Sequence, residues 1–356
     1  MGALITGTGS FIPANIRSNE DFASVRFYNG DHQPLMNGSV EIIRKFEKIT
    51  GISARRYASD HLNTSDMAAI AAATAIQNAG VDPETIDQLI VAHNFGDVPK
   101  NQIQSDAVPS LASRVKRALS ICNPACVAYD LLFGCAGWLQ GLIQADAFIR
   151  AGIAKKCLVV GAETLSRVID PHDRDSMIFS DGAGAVVLET SDARSADAGI
   201  LGSISQTHAL AEVSYITLGQ SYCPPVNCQT RYLKMQGRKV YEFALRTVPM
   251  AMKSCLDACN ISLDEVKKIF LHQANEKMDA AIVKAFYGLF GREKIPDNIM
   301  PMNIRELGNS SVATIPTLFD MVRKGALPEH RLYPGDVILF ASVGAGMNIN
   351  ALCYRI

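Results

Sequence analysis

Ala128-Tyr129-Asp130-Leu131-Leu132-Phe133-Gly134-Cys135-Ala136-Gly137-Trp138-Leu139-Gln140-Gly141-Leu142 is the stretch whose reading decides the fold. It runs apolar and breaks at small residues around one cysteine. It then resumes with Leu139, Leu142, Ile143 and Ala147 three and four apart, as on one helix face. The pattern predicts a short strand ending near Phe133 and a buried helix starting near Ala136. Cys135 then stands at a helix N-terminus, where unpaired N–H groups and the helix dipole stabilise a thiolate. Gly134 and Gly137 permit a tight turn and close approach of a substrate. A buried structural thiol satisfies the same stretch, because free cysteine also packs as a small hydrophobe.

Around this stretch the 356 residues are 48% hydrophobic and 19% charged, with a formal net charge of -1. That is a globular composition, long enough for two domains or one large layered one. The charge balance carries no global nucleic-acid footprint. No apolar run reaches the roughly 18 residues of a membrane span. Residues 1–6 nominally fit a myristoylation signal, but Leu4-Ile5-Thr6-Gly7-Thr8-Gly9 reads as strand then turn. No secretory signal is expected, and nine cysteines without framework spacing suggest a reducing cytoplasm. Cys122 and Cys126, like Cys255 and Cys259, are four apart. No His/Cys partner set at zinc spacing accompanies them, so no metal site is expected.

Strand and helix patterns alternate along the chain. Helices are predicted over Val40 to Ile49, Thr64 to Ala79 (capped by Thr64 or Ser65) and Pro109 to Leu119. Buried strands are predicted over Leu89 to Ala92 and Cys157 to Gly161. Asp181-Gly182-Ala183-Gly184 reads as a turn into the strand Ala185 to Leu188. Residues 27–39, with Asn29-Gly30, Pro34 and Asn37-Gly38, form a loop or hairpin insert.

The second half starts again. At an offset of 180 residues, Leu89-Ile90-Val91 falls on Ile269-Phe270-Leu271 and Leu158-Val159-Val160 on Ile338-Leu339-Phe340. The order of elements repeats, so the chain reads as a duplication of two α/β halves, 1–190 and 191–356. Such halves imply helix-covered sheets with sites outside strand ends. If Cys135 lies at a strand end of the first half, matching ends of the second should face the same crevice. Those ends carry His272-Gln273-Ala274-Asn275 and Gly308-Asn309-Ser310-Ser311. His272 alone is compatible with a structural role, and Asn309 alone with a helix cap. Val343-Gly344-Ala345-Gly346 is a tight turn whose N–H groups could serve an oxyanion hole. Hydrolase, papain-type and dinucleotide-binding patterns do not fit.

The chain resembles the β-ketoacyl-acyl carrier protein synthase III family of thiolase-fold condensing enzymes over nearly its whole length. The resemblance rests on Ile5-Thr6-Gly7-Thr8-Gly9, residues 49–56, Gly134-Cys135-Ala136-Gly137 and Asp170-Pro171-His172-Asp173-Arg174. Asp181-Gly182-Ala183-Gly184-Ala185, His272-Gln273-Ala274-Asn275 and Gly308-Asn309-Ser310-Ser311 complete it. It implies a layered αβαβα thiolase-like fold, with Cys135 as acylated nucleophile and His272 and Asn309 completing the triad. It also implies decarboxylative condensation with a malonyl-carrier protein. The backbone of Cys135, Gly344 and Ala345 would then hold an oxyanion. Arg174, Asn275, Phe133 and Trp138 would contact substrate, and Lys277 an acidic acyl carrier protein. No bound cofactor, metal, membrane or nucleic acid is implied. Acyl thioesters are the substrates, and a cytoplasmic homodimer is the expected form.

Two positions depart from the family pattern. Lys45 and Ile49 stand where the family has a tryptophan and an arginine that hold coenzyme A. The 27–39 insert is also longer and could cover the tunnel mouth. Both departures suit an acyl donor borne by a carrier protein. The alternatives are a specialised ketosynthase joining two acyl or β-ketoacyl chains, as in dialkylresorcinol formation, and an acyltransferase on the same fold. A non-catalytic chain-length factor would lack the cysteine.

Overall fold

The computed structural model describes residues 2–102, 104–191, 198–225 and 229–356. The first half contains β1 (Ala3–Phe11), β2 (Asn15–Ser18), α1 (Ser39–Thr50), β3 (Ala54–Tyr57), α2 (Thr64–Ala79) and β4 (Gln88–Ala92). It continues with α3 (Leu111–Ala118), β5 (Val127–Leu131), α4 (Gly137–Arg150), β6 (Lys156–Thr164) and β7 (Asp181–Thr190). The second contains β8 (Gly199–Thr207), β9 (Ile216–Gly219), β10 (Tyr232–Met235), α5 (Gly237–Cys259) and β11 (Val266–Leu271). α6 (Glu276–Gly288), α7 (Ile304–Leu307), α8 (Thr314–Arg323), β12 (Val337–Gly344) and β13 (Asn348–Arg355) complete it. The predicted junction after residue 190 abuts residues 192–197, which lie outside the described residues.

The strands form two principal sheets, ordered β1-β7-β6-β4-β5 and β8-β13-β12-β11. β4 runs parallel to β5 and β6, and β11 parallel to β12. The other neighbours in these sheets pair antiparallel. Strand for strand, β1-β7-β6-β4 matches β8-β13-β12-β11.

Side-chain alternation builds the layers. Leu89, Val91, Leu158 and Val160 pack under α2 and α3. Ile90 and Val159 face the other way, onto Trp138 and Leu142 of α4, Phe319 of α8, and Phe270 and Phe340 of the second sheet. Ile269, Leu271, Leu339 and Ala341 meet α5 and α6 beyond. The result is the αβαβα stack of a thiolase-like fold. Strands buried on both faces explain why β4 and β6 read as continuous apolar runs rather than alternating ones.

Four details differ from the sequence reading. Ile90 pairs with Val159, whereas Phe270 pairs with Phe340. The second strand of the repeat is therefore displaced by one residue from the ungapped offset, which keeps Val159 and Phe340 on the same inward face. The N-cap of α2 is Asn63, whose backbone N–H donates to Asp66 Oδ2 at 2.8 Å, rather than Thr64 or Ser65. Gly9 is inside β1, not in a turn: a Cβ there would lie 2.3 Å from the Ala71 carbonyl of α2. Gly184 is likewise inside β7, where a Cβ would come within 2.8 Å of Thr317 N on α8. Both glycines serve close helix–strand approach.

Candidate active site

β5 ends at Leu131, and the chain turns through Gly134 at φ +60° before α4 begins. A Cβ on Gly134 would lie 2.5 Å from Ala345 N, and one on Gly344 would lie 2.2 Å from Cys135 N. Only glycine at both positions lets the two halves meet backbone to backbone at the nucleophile. The N–H groups of Cys135 and Ala345 are thereby gathered at one spot. Cys135 is partly accessible and lines a cavity of about 90 Å³.

The second half supplies the opposite wall. His272 follows β11 directly, and its N–H donates to the Ala341 carbonyl of β12 at 2.9 Å. Asn309 is fixed by backbone bonds on both sides, to Ile178 O at 2.9 Å and from Ser180 N at 2.8 Å. Its side-chain oxygen accepts from Ser311 N at 2.7 Å, which leaves the amide NH₂ as its free end. Cys135, His272 and Asn309 all line the same cavity. Away from them the walls are apolar, among them Phe95, Leu165, Phe179, Leu233 and Met278.

The resting electrostatics are those of an uncharged pair. Burial pushes the Cys135 thiol up to about 11, against a smaller opposing effect of the Ser311 hydrogen bond. This desolvation works against the stabilisation that the helix N-terminus offers a thiolate. Burial lowers His272 to about 4, so its ring is neutral at neutral pH. His272 Nδ1 is enclosed and has no partner among the described residues, which leaves Nε2 as the cavity-facing nitrogen.

Behind Cys135 runs a chain of polar contacts that sequence reasoning missed. Ser311 Oγ donates to Cys135 Sγ at 3.3 Å, and Asn94 Nδ2 donates to Ser311 Oγ at 3.1 Å. Asn94 Nδ2 also donates to Glu163 Oε2 at 2.7 Å, and Asn94 N to Glu163 Oε1 at 3.2 Å. Glu163 is fully buried, and burial raises it to about 7. A carboxylate accepts only, so Glu163 orients the Asn94 amide. The amide occupies a Ser311 lone pair, and the Ser311 O–H is left pointing at sulfur. An acidic residue inside the buried strand Cys157 to Thr164 was the available signal.

Other expected site residues separate into groups. Arg174 and Asn275 lie in an outer cavity of about 310 Å³ that shares Met235, Val240, Ala274 and Met278 with the inner one. Ile49 lines that vestibule too. Lys277 is exposed in a separate open groove with Arg44, Lys48 and Arg305, which Glu47 and Glu276 also line. Phe133 and Trp138 do not line the cavity. Trp138 is 1% exposed and turned into the middle layer, edge-on to Phe340, because α4 presents that face to the sheets. Leu132, beside Phe133, is 66% exposed. The insert pairs Tyr28 with Pro34 and packs on the His172 loop and Tyr222. None of residues 27–39 lines the cavity or vestibule, so the insert does not cover the mouth.

Comparison with known proteins agrees with this geometry. The model for 3-oxoacyl-[acyl-carrier-protein (ACP)] synthase III matches residues 129–209, and the model for its C-terminal region matches residues 256–356. The β-ketoacyl-acyl-carrier-protein synthase III of Erythrobacter litoralis is 32% identical over 99% of both chains. This chain belongs to the synthase III family. The synthase III of the alga Porphyra purpurea is 33% identical over 100% of this chain and 99% of its own. Among solved structures, synthase III from Aquifex aeolicus superposes with TM-score 0.79 at 28% identity, covering both chains fully. OleA from Xanthomonas campestris shares the fold, with TM-score 0.78 at 18% identity over 100% of this chain and 99% of its own. The chain is thus an acyl-transferring condensing enzyme of the synthase III type.

Proposed function

We propose that the chain joins an acyl group held on Cys135 to a malonyl group on acyl carrier protein, releasing CO₂ and giving a β-ketoacyl thioester. The observation that carries this reading is the convergence of Cys135, His272 and Asn309 on one narrow, largely apolar cavity. In the first half-reaction the thiol attacks an acyl thioester. The acyl–sulfur bond reforms on Cys135, and the displaced carrier thiol takes the proton. Transfer of that proton to the leaving group suits a thiol whose resting pKa is high. The Ser311 O–H supports negative charge on sulfur as it develops.

In the second half-reaction malonyl loses CO₂ and an enolate forms. Neutral His272 and the Asn309 NH₂ donate to its oxygen; losing one such donor costs about 2.7–4 kcal/mol. The enolate carbon attacks acyl-Cys135, the acyl–sulfur bond breaks, and Cys135 leaves as a thiolate that takes a proton from solvent to restore the resting thiol. The tetrahedral oxyanion lies against the N–H groups of Cys135 and Ala345. Apolar walls exclude water that would protonate the enolate.

The vestibule with Arg174 and Asn275 suits a thioester arm. The exposed groove of Arg44, Lys48, Lys277 and Arg305 suits an acidic carrier protein. β5 is an open sheet edge beside exposed Val127 and Leu132, an arrangement that supports pairing of two copies in a homodimer. A cytoplasmic enzyme without a bound cofactor completes the reading; no helix among the described residues is long and apolar enough to cross a membrane. The test is intact-protein mass spectrometry after incubation with acyl thioesters. One acyl adduct should form and be lost in Cys135→Ala; an adduct that persists there rejects the nucleophile. Light scattering tests the dimer, and a monomer at micromolar concentration rejects it.

A further inference from the structure

On the outer face of the second sheet, away from the Cys135 cavity, lies a second group of sulfurs. Cys255 and Cys259 stand one turn apart at the end of α5, and β13 brings Cys353 against them. The three Sγ atoms lie within 4.8 Å of one another, with Cys255 and Cys353 sulfurs 3.6 Å apart. Cys255 and Cys353 are buried, and Cys259 is partly accessible. Gly202 sits opposite Cys353 across the β8–β13 pairing, and the register shifts immediately after Cys353. A Cβ on Gly202 would lie 2.8 Å from the Cys259 sulfur, so glycine there makes the space that sulfur occupies. The sequence spacing predicted no metal site because it showed only two of the three thiols; the third comes from about a hundred residues away.

We infer that Cys255, Cys259 and Cys353 form a trigonal all-sulfur site for a single Cu(I) ion. Metal–thiolate bonds of about 2.3 Å place three coplanar sulfurs about 4.0 Å apart, close to the spacing already present. Soft thiolates select Cu(I) and Zn(II) among common ions. Zinc takes four ligands. Among the described residues no fourth His, Cys, Asp or Glu joins this group, and three sulfurs alone suit Cu(I). Cys259 is partly accessible, and that exposure is the entry path. Cu(I) binds without change of oxidation state, and the thiol protons it displaces pass to solvent.

The test is anaerobic Cu(I) titration of the full chain against a chromophoric Cu(I) chelator. The background is Cys122→Ser, Cys135→Ala, Cys223→Ser and Cys228→Ser, so that the site's own thiols and Cys126 and Cys157 remain. One Cu(I) per chain is expected, with three sulfur neighbours by X-ray absorption and a raised melting temperature. Cys259→Ala and Cys353→Ser should each weaken binding at least tenfold. Should Cys353→Ser fail to fold, Cys259→Ala, at a partly exposed position, decides. Stoichiometric binding unchanged in Cys259→Ala overturns the site. So does a Cys255–Cys353 disulfide in air combined with no Cu(I) uptake by the reduced chain. Retention of Zn(II) in preference to Cu(I) overturns the assignment of the ion.

Discussion

Two histidines occupy the first position after matching strands, His93 after β4 and His272 after β11, and they are built for opposite purposes. His93 is 3% exposed. Its Nδ1 accepts from Gly96 N at 3.0 Å, and its Nε2 lies 3.0 Å from Asp130 Oδ2, an ion-pair distance rather than a well-directed hydrogen bond. Asp130 in turn caps α3 through Leu111 N and Ala112 N. His93 therefore ties β4, β5 and α3 together. His272 is 7% exposed, with Nδ1 unpartnered among the described residues and the ring on the cavity wall. The ungapped repeat aligns His93 with Gln273, not with His272. Gln273 is also a clamp, donating to Pro301 O and accepting from Asn303 N and Ile304 N. One residue along a strand end changes the face, and with it the task. An unpartnered buried imidazole is costly for folding and available for chemistry.

The largest effect expected is at the nucleophile. Cys135→Ala should lower kcat for condensation by at least about a thousandfold and abolish the acyl adduct; retained turnover would remove Cys135 from the mechanism. Next, His272→Ala should slow malonyl decarboxylation about a hundred- to a thousandfold while leaving Cys135 acylation intact. His93→Ala should do the reverse, lowering stability by about 1–3 kcal/mol in urea unfolding with kcat of the surviving fold within a few-fold. Matching losses of kcat in both variants would break the contrast between the two rings.

The pH dependence sharpens it further. His272 has a folded pKa depressed from 6.5 to about 4, so the unfolded chain binds the proton more readily in that window. The stability of the neutral ring is present above about pH 6.5 and is lost as pH falls toward 4, on the order of 2–3 kcal/mol. His272→Gln should flatten that part of the stability profile; an unchanged slope would refute the assignment. Over pH 7–9, alkylation of Cys135 by iodoacetamide should rise about tenfold per unit, because the thiol titrates near 11. A plateau by pH 8 would show a resting thiolate instead.

Smaller effects test the supporting groups. Glu163→Gln should free the Asn94 amide to turn, weaken the Ser311 donor and slow Cys135 alkylation at fixed pH about three- to tenfold, with Glu163→Asp intermediate. Faster alkylation would mean that the repulsion between Glu163 and the thiolate outweighs the orienting contact. Last, acyl-carrier donors should exceed matching acyl-CoA in kcat/KM by several-fold, because Ile49 lines the vestibule where the family pattern has a coenzyme-holding side chain. The opposite ranking would rule out the carrier-borne donor.

Much of the fold was legible because buried strands and amphipathic helices write themselves as local periodicity. α2 was read to the residue, and β4 and α1 to within one residue at each end. The glycines were legible only as glycines. Gly9 and Gly184 read as turns, since nothing local distinguishes a glycine that turns the chain from one pressed by a helix. Trp138 was misplaced for a related reason, because helical spacing marks a buried face without saying what lies against it. Asn94, Glu163 and Ser311 were passed over because each is ordinary in its own neighbourhood.

By itself the sequence determined the alternation of strands and helices, the repeat of one half in the other, and the motifs that hold Cys135, His272 and Asn309. These are properties of spacing and residue type within a few turns of chain. Tertiary structure alone decided which atoms meet. It set Cys135 N against Gly344, linked Glu163 to the sulfur through Asn94 and Ser311, and brought Cys353 to Cys255 and Cys259. It also buried the Cys135 thiol, which opposes the lowering expected from the helix N-terminus. Desolvation depends on every layer packed around a group, whereas a helix N-terminus is written in the few residues that form it.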